Sequence, residues 1–113
     1  MEGLDLSSGA RAGLTAYLAG ITPQFAQHNV TINNILPGLF DTDRLKNSTK
    51  QSAIKSGRKE SEIIIERSNS IPAKRFGTAS EFGETCTFLC SVQAGYITGQ
   101  NILIDGGRFS HTF

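Results

Sequence analysis

No apolar run in this 113-residue sequence approaches the roughly 20 consecutive residues needed to span a bilayer, which excludes a membrane-spanning helix as a reading. The opening Met1-Glu2-Gly3-Leu4-Asp5 is acidic and lacks the basic and apolar regions of a secretory signal, so a cytoplasmic protein is expected. Cysteine and histidine are scarce, at two each. Cys86 and Cys90 have the spacing that puts side chains on one face of a helix, so a shared metal is conceivable. Zinc wants four ligands at closer, patterned spacing, and the histidines, His28 and His111, lie far away in the chain. The pair is therefore read as buried, reduced core thiols, with no metal. There is no internal repeat, linker or low-complexity tract.

What is present is an ordinary globular composition, 38% hydrophobic and 19% charged, enough for one small domain. The net charge of +1 implies no strong attraction to nucleic acid or to a membrane surface. Its distribution says more. Between Asp43 and Arg75 stand nine basic residues against four acidic ones, a local excess of five. Aromatic residues are not interleaved with these charges, which argues against nucleic-acid recognition. The plain reading is a solvated, mobile connecting segment.

Along the chain, Leu14, Tyr17, Leu18, Ile21 and Phe25 recur at helical intervals and predict a helix from about Ser8 to His28. Its alanines (Ala10, Ala12, Ala16, Ala19) keep part of the surface thin enough for close packing. Pro23 should kink or break this helix, and Asn29 should close it in the left-handed conformation. Val30 to Leu36 reads as a strand stopped by Pro37-Gly38. The basic segment should hold one or two short helices, the better from Lys59 to Asn69, ended before Ile71-Pro72. Thr78 and Glu81 have capping-box spacing and open another helix, with Phe82, Thr85, Cys86 and Leu89 on one face. Gly95 and Gly99 bracket a turn. Asn101-Ile102-Leu103-Ile104 is a short strand ending at Asp105-Gly106-Gly107. Alternating helices and strands imply parallel strands with helical crossovers. Two such strands make a poor free-standing domain, because a parallel sheet needs both faces covered. The chain thus reads as part of a larger α/β sheet.

Three stretches, in order, resemble the short-chain dehydrogenase/reductase family: Asn29 to Gly38 followed by Thr42; Ile71 to Thr78 with Glu81; and Tyr96 to Gly107. The resemblance covers nearly the whole chain. It implies the last two strands and flanking helices of a doubly wound, Rossmann-type parallel sheet, residues 1–113 forming a single partial domain. It also implies NAD or NADP in a complete enzyme, bound at the carboxyl ends of the strands. Pro37 and Gly38 would face the nicotinamide, the main chain near Phe40 would hold its carboxamide, and Thr42 would hydrogen-bond the carboxamide or pyrophosphate. The competing reading is that Pro37-Gly38 only ends a strand and Thr42 only caps a helix. Residues 43–70 correspond to the family's variable substrate loop, here expected to be a mobile lid whose charge could attract an acidic partner such as coenzyme A or an acyl carrier protein.

The resemblance breaks at the family's Tyr-x-x-x-Lys. The corresponding run is Ser7-Ser8-Gly9-Ala10-Arg11, placing Ser7 at the tyrosine position and Arg11 at the lysine position. A serine hydroxyl is a far weaker acid than a phenol, and a guanidinium differs from an ammonium in shape and hydrogen bonding. Ser7 could instead be a helix N-cap and Arg11 an exposed helical charge. No glycine-rich phosphate loop occurs. The expectation is therefore a carboxyl-terminal fragment of an NAD(P)-dependent oxidoreductase, with 3-oxoacyl reductase-like activity as a candidate. It should be inactive alone, bind no cofactor alone, and associate as a homo-oligomer or with a missing amino-terminal half. The alternative is a non-catalytic interaction protein of the same fold.

Overall fold

The computed structural model describes residues 5–110. The elements run α1 (Asp5–Ala26), β1 (Asn34–Pro37), α2 (Asp43–Ser56), α3 (Glu60–Asn69), α4 (Ala79–Leu89), a 3-10 turn (Val92–Ala94) and β2 (Asn101–Ile104). The strands β1 and β2 are neighbours in one sheet. They are parallel: Asn34 N–H donates to Gln100 O at 2.8 Å and Gly38 N–H to Ile104 O at 3.0 Å, so both chains advance together. This is the α/β architecture expected from the alternation of elements. The chain divides into two compact units, one of Met1–Ile35 with Thr87–Ile102, the other of Leu36–Cys86 with Leu103–Phe113.

In the first unit, α1 runs through Pro23 as one continuous helix, so of the expected kink or break the break does not occur. Thr22, almost fully buried, sends its hydroxyl proton to Leu18 O at 2.7 Å, giving that carbonyl a side-chain donor one residue before the proline. The helix ends as expected at Asn29, which has φ 59°. Val30 N–H reaches Phe25 O and Asn29 N–H reaches Ala26 O, the paired bonds of a Schellman stop. The predicted strand at Val30–Leu36 is corrected to Asn34–Pro37. Upstream of Asn34 the partners are not a regular ladder: Ile32 N–H bonds the Thr98 hydroxyl at 3.0 Å, and the Asn33 amide bonds Ile97 O at 2.8 Å. Gly99 N–H also donates to Ile32 O at 2.7 Å, so side chains and a single backbone bond stand in for a regular ladder there.

The second unit holds the basic segment, which forms two short helices, α2 and α3, the second over Glu60–Asn69 where the better one was expected. The two pack against each other as a hairpin. Thr42 caps α2 by accepting from Leu45 N–H at 3.3 Å, and Gly57 closes it in the left-handed region with φ 66°. Leu45, Thr49, Ala53 and Ile63 are buried in this hairpin. Arg67 of α3 donates to the hydroxyls of Ser48, Thr49 and Ser52 at 2.8–2.9 Å. Those hydroxyls spend their own protons on α2 carbonyls one turn back, so they meet the guanidinium as acceptors. Ile71, 1% exposed, is the most buried large side chain among the described residues.

The capping box at the start of α4 forms in both directions: Thr78 N–H to Glu81 Oε2 at 2.8 Å and Glu81 N–H to Thr78 Oγ1 at 3.2 Å. No residue of α4 is buried. The two cysteines, expected to be buried, are free thiols, Cys86 half-buried and Cys90 exposed.

Candidate functional site at the end of the first strand

The site is built where β1 stops. Gly38 ends the ladder, and a side chain there would place its Cβ 2.6 Å from Asp105 Cα and Cβ. Only glycine lets the two chains approach so closely. Beyond it the chain stays extended and makes an isolated parallel bridge between Phe40 and Gly77. Gly77 N–H donates to Leu39 O at 3.0 Å and Asp41 N–H donates to Gly77 O at 2.8 Å. Successive residues of an extended chain turn their polar groups to alternate sides. With Leu39 and Asp41 engaged by Gly77, the N–H and C=O of Phe40 itself point away from Gly77. That is one donor and one acceptor side by side on the backbone of a half-buried residue.

The Phe40 ring lies on the Gly77 Cα, where an added Cβ would sit 2.6 Å from Cε1. It also meets Phe82 edge-to-face, with ring centroids 5.9 Å apart. Arg75 grips Glu81 with two bonds of 2.9 and 2.6 Å, and its Nη1 also donates to Phe76 O at 3.1 Å. The Arg75 guanidinium, and then the Thr78 N–H, hold the Glu81 carboxyl down at a pKa of about 2. Beside this clamp, Asp105 accepts from Gly107 N–H at 2.9 Å and Phe109 N–H at 2.8 Å. Ala73 N–H donates to Gly106 O at 3.0 Å. Phe40, Arg75, Gly77, Glu81 and Asp105 border a groove of about 300 Å³ that also includes Leu39, Leu103 and Ile104.

Of the residues singled out in the sequence, Pro37, Gly38, Phe40 and Thr42 all lie in the second unit, close along the chain, and only Phe40 borders the groove. Thr42 does cap α2, as the competing reading had it, yet its hydroxyl proton is not used by that bond. Ser7 and Arg11 lie in the first unit, one turn apart on α1, Ser7 half-buried and Arg11 exposed. Ser7 is no N-cap, because the helix is already under way at Asp5. Sequence reasoning missed Gly77 as the partner of Phe40. Only the Arg-x-Gly spacing before the capping box hinted at it. Among the described residues no group of three or more His, Cys, Asp or Glu could hold a metal, and no helix is long and apolar enough to cross a membrane.

A family described as enoyl-(acyl carrier protein) reductase matches residues 1–108. The NADPH-dependent reductase BacG of Bacillus subtilis is 41% identical over 91 residues, covering 77% of this chain and 34% of that protein. The chain belongs to the short-chain dehydrogenase/reductase family. A second member, the 3-oxoacyl-[acyl-carrier-protein] reductase FabG of Aquifex aeolicus, is 34% identical over 102 residues, covering 90% of this chain and 37% of FabG. Among solved structures, YwfH, an NADPH-dependent reductase involved in bacilysin biosynthesis, superposes with a TM-score of 0.79 at 35% identity, covering 88% of this chain and 38% of YwfH. The chain thus spans about a third of the length of the curated relatives it matches. These relatives are reductases of the same fold, and the stretch they share with this chain includes the Pro37-Gly38 turn.

Proposed function

We propose that this chain is the carboxyl-terminal part of an NAD(P)H-dependent reductase of carbonyl groups, of the 3-oxoacyl type, within a single doubly wound domain. One observation carries this: the N–H and C=O of Phe40 are turned outward together at a strand end. A primary carboxamide, which needs one acceptor and one donor, pairs with such a backbone edge. The nicotinamide supplies the hydride when bound. Phe40 holds its carboxamide, Gly38 keeps the backbone close, Pro37 closes the strand, and Thr42 offers a hydroxyl proton nearby. Arg11 is a ribose contact. Ser7 stands where the family's proton donor belongs, but its hydroxyl needs a neighbouring base to pass a proton. Residues 43–70 cover the substrate, and their basic side chains attract an acidic group on it.

The pyrophosphate cradle of this family is a glycine-rich loop, and this sequence contains none. Isolated chain is therefore expected to bind dinucleotide weakly or not at all. Titration with NADH and NADPH, followed by cofactor fluorescence, checks this, and low-micromolar binding by the 113-residue chain contradicts it. The nicotinamide end is tested separately by adding nicotinamide to labelled protein. A shift of the Phe40 amide resonance is expected, and an unmoved Phe40 amide rejects the assignment.

A second reading is favoured by α1. Leu6, Leu14, Tyr17 and Phe25 are 42–92% exposed, an apolar surface that water tolerates poorly. On this reading the chain acts by association, as a homo-oligomer or with an amino-terminal half, without catalysis. Light scattering tests the homo-oligomer, because a stable, well-dispersed monomer with cooperative melting excludes it.

A further inference from the structure

We infer that Arg75, acting through Glu81 and Gly77, is a positioning residue that fixes which way the main chain of Phe40 faces. The inference deepens the carboxamide assignment above and rests on it for its functional meaning. The chain of contacts is continuous. The Arg75 fork closes on both oxygens of Glu81 at 2.9 and 2.6 Å, and Nη1 reaches Phe76 O at 3.1 Å. Glu81 Oε2 also receives Thr78 N–H at 2.8 Å and the Thr78 hydroxyl at 3.2 Å. Phe76 and Thr78 are thus tied on either side of Gly77. Gly77 then presents its N–H to Leu39 and its C=O to Asp41. A rotation of either peptide of Gly77 would release one of those bonds and free residues 39–41 to turn over.

Exposure argues against a large contribution to global stability. The Arg75 and Glu81 side chains are 59% and 44% exposed, and isolated surface ion pairs contribute little. The arrangement differs from an isolated pair by being two-pronged and by sharing its carboxylate with a helix cap, which adds geometric specificity. Nor does the local backbone hold this turn unaided: Lys74, just before the arginine, sits at φ 58°, a conformation few side chains adopt. A lysine at position 75 would keep the charge but lose the planar fork.

The test uses the full chain with Arg75→Gln, Arg75→Lys and Glu81→Gln, read by amide hydrogen exchange and by nicotinamide titration. Arg75→Gln and Glu81→Gln are expected to speed exchange at Asp41 and Gly77 by about tenfold, leaving α2 and α3 amides unchanged, with Arg75→Lys intermediate. The nicotinamide-induced shift at Phe40 should disappear in Arg75→Gln and return in part in Arg75→Lys. Unchanged exchange at Asp41 and Gly77, or a uniform rise across both helices, overturns the inference. So does a Phe40 shift that persists in full in Arg75→Gln. If the unmodified chain shows no Phe40 shift, the carboxamide assignment fails by itself, and the exchange rates still decide whether Arg75 sets the backbone.

Discussion

The longest helix and the α2–α3 hairpin solve opposite problems. Helix α1 carries many apolar side chains and leaves them exposed, with Leu14 at 55% and Tyr17 at 64%. The hairpin also leaves Ile54, Ile64 and Ile65 exposed, yet it buries Leu45, Thr49, Ala53 and Ile63 and closes on itself through Arg67. Hydrophobic residues on α1 are thus an offer to something beyond its own unit's core. Hydroxyls on α2 are a complete internal solution, since each hydroxyl that receives Arg67 is also bonded to a carbonyl one turn earlier. An apolar stripe in a sequence therefore marks a surface that needs covering, and a serine-rich helix is not by that token a loop.

The sharpest way to break this contrast is in the small core of the second unit. Ile71→Ala is expected to cost about 3 kcal/mol, because Ile71 is 1% exposed and its truncation removes buried apolar volume. Urea unfolding measures it. A loss below about 1 kcal/mol would mean that this unit has no real core. Next comes Arg67→Ala, expected to cost about 2 kcal/mol by removing charge-assisted bonds to three hydroxyls. The variant should also open α2 and α3 to trypsin, while cleavage first within α1 would reverse the comparison.

A smaller effect, about 1 kcal/mol, is expected for Thr78→Ala, which removes one side of the capping box. Acid provides an independent check on the same corner. Glu81 has a folded-state pKa of about 2 against an ordinary 4.5, so its stabilising effect is fully present above pH 4.5 and is lost as pH falls through 2. A carboxyl carbon titration should find Glu81 still ionised at about pH 3.5, when an unperturbed glutamate is mostly protonated. The smallest stability change belongs to Leu14→Gln with Tyr17→Ser, below about 0.5 kcal/mol per chain, because both side chains are already exposed. The same double variant should reduce particle mass in light scattering, and unchanged mass would show that this stripe covers nothing.

Features legible in the sequence were the local ones. The capping box, the left-handed Asn29, the strand Asn101–Ile104 and a helix ending at Asn69 all depend on residues within a few positions of each other. Helix α2 was also locally marked, by Thr42 before it and Gly57 after it, but its scarcity of large apolar residues hid the signal. The limits of β1 were not legible, because they depend on where Thr98 and Ile97 substitute for a ladder some 60 residues away. At the site, Pro37-Gly38 and Thr42 could be read from motif spacing. The partnership of Phe40 with Gly77 could not, since nothing in either neighbourhood specifies the other.

The glycines flanking Phe40 also differ in how replaceable they are. At position 38 the obstacle to a methyl group is the backbone of Asp105 as well as its Cβ, so no change of side chain elsewhere can make room. At position 77 the obstacle is the rim of one aromatic ring. Residues 40 and 77 are consequently a coupled pair of letters: alanine at 77 becomes admissible once 40 is small, and the two substitutions together should be milder than Gly77→Ala alone. The first glycine is a fixed point of the sequence, and the second is one half of an exchangeable couplet.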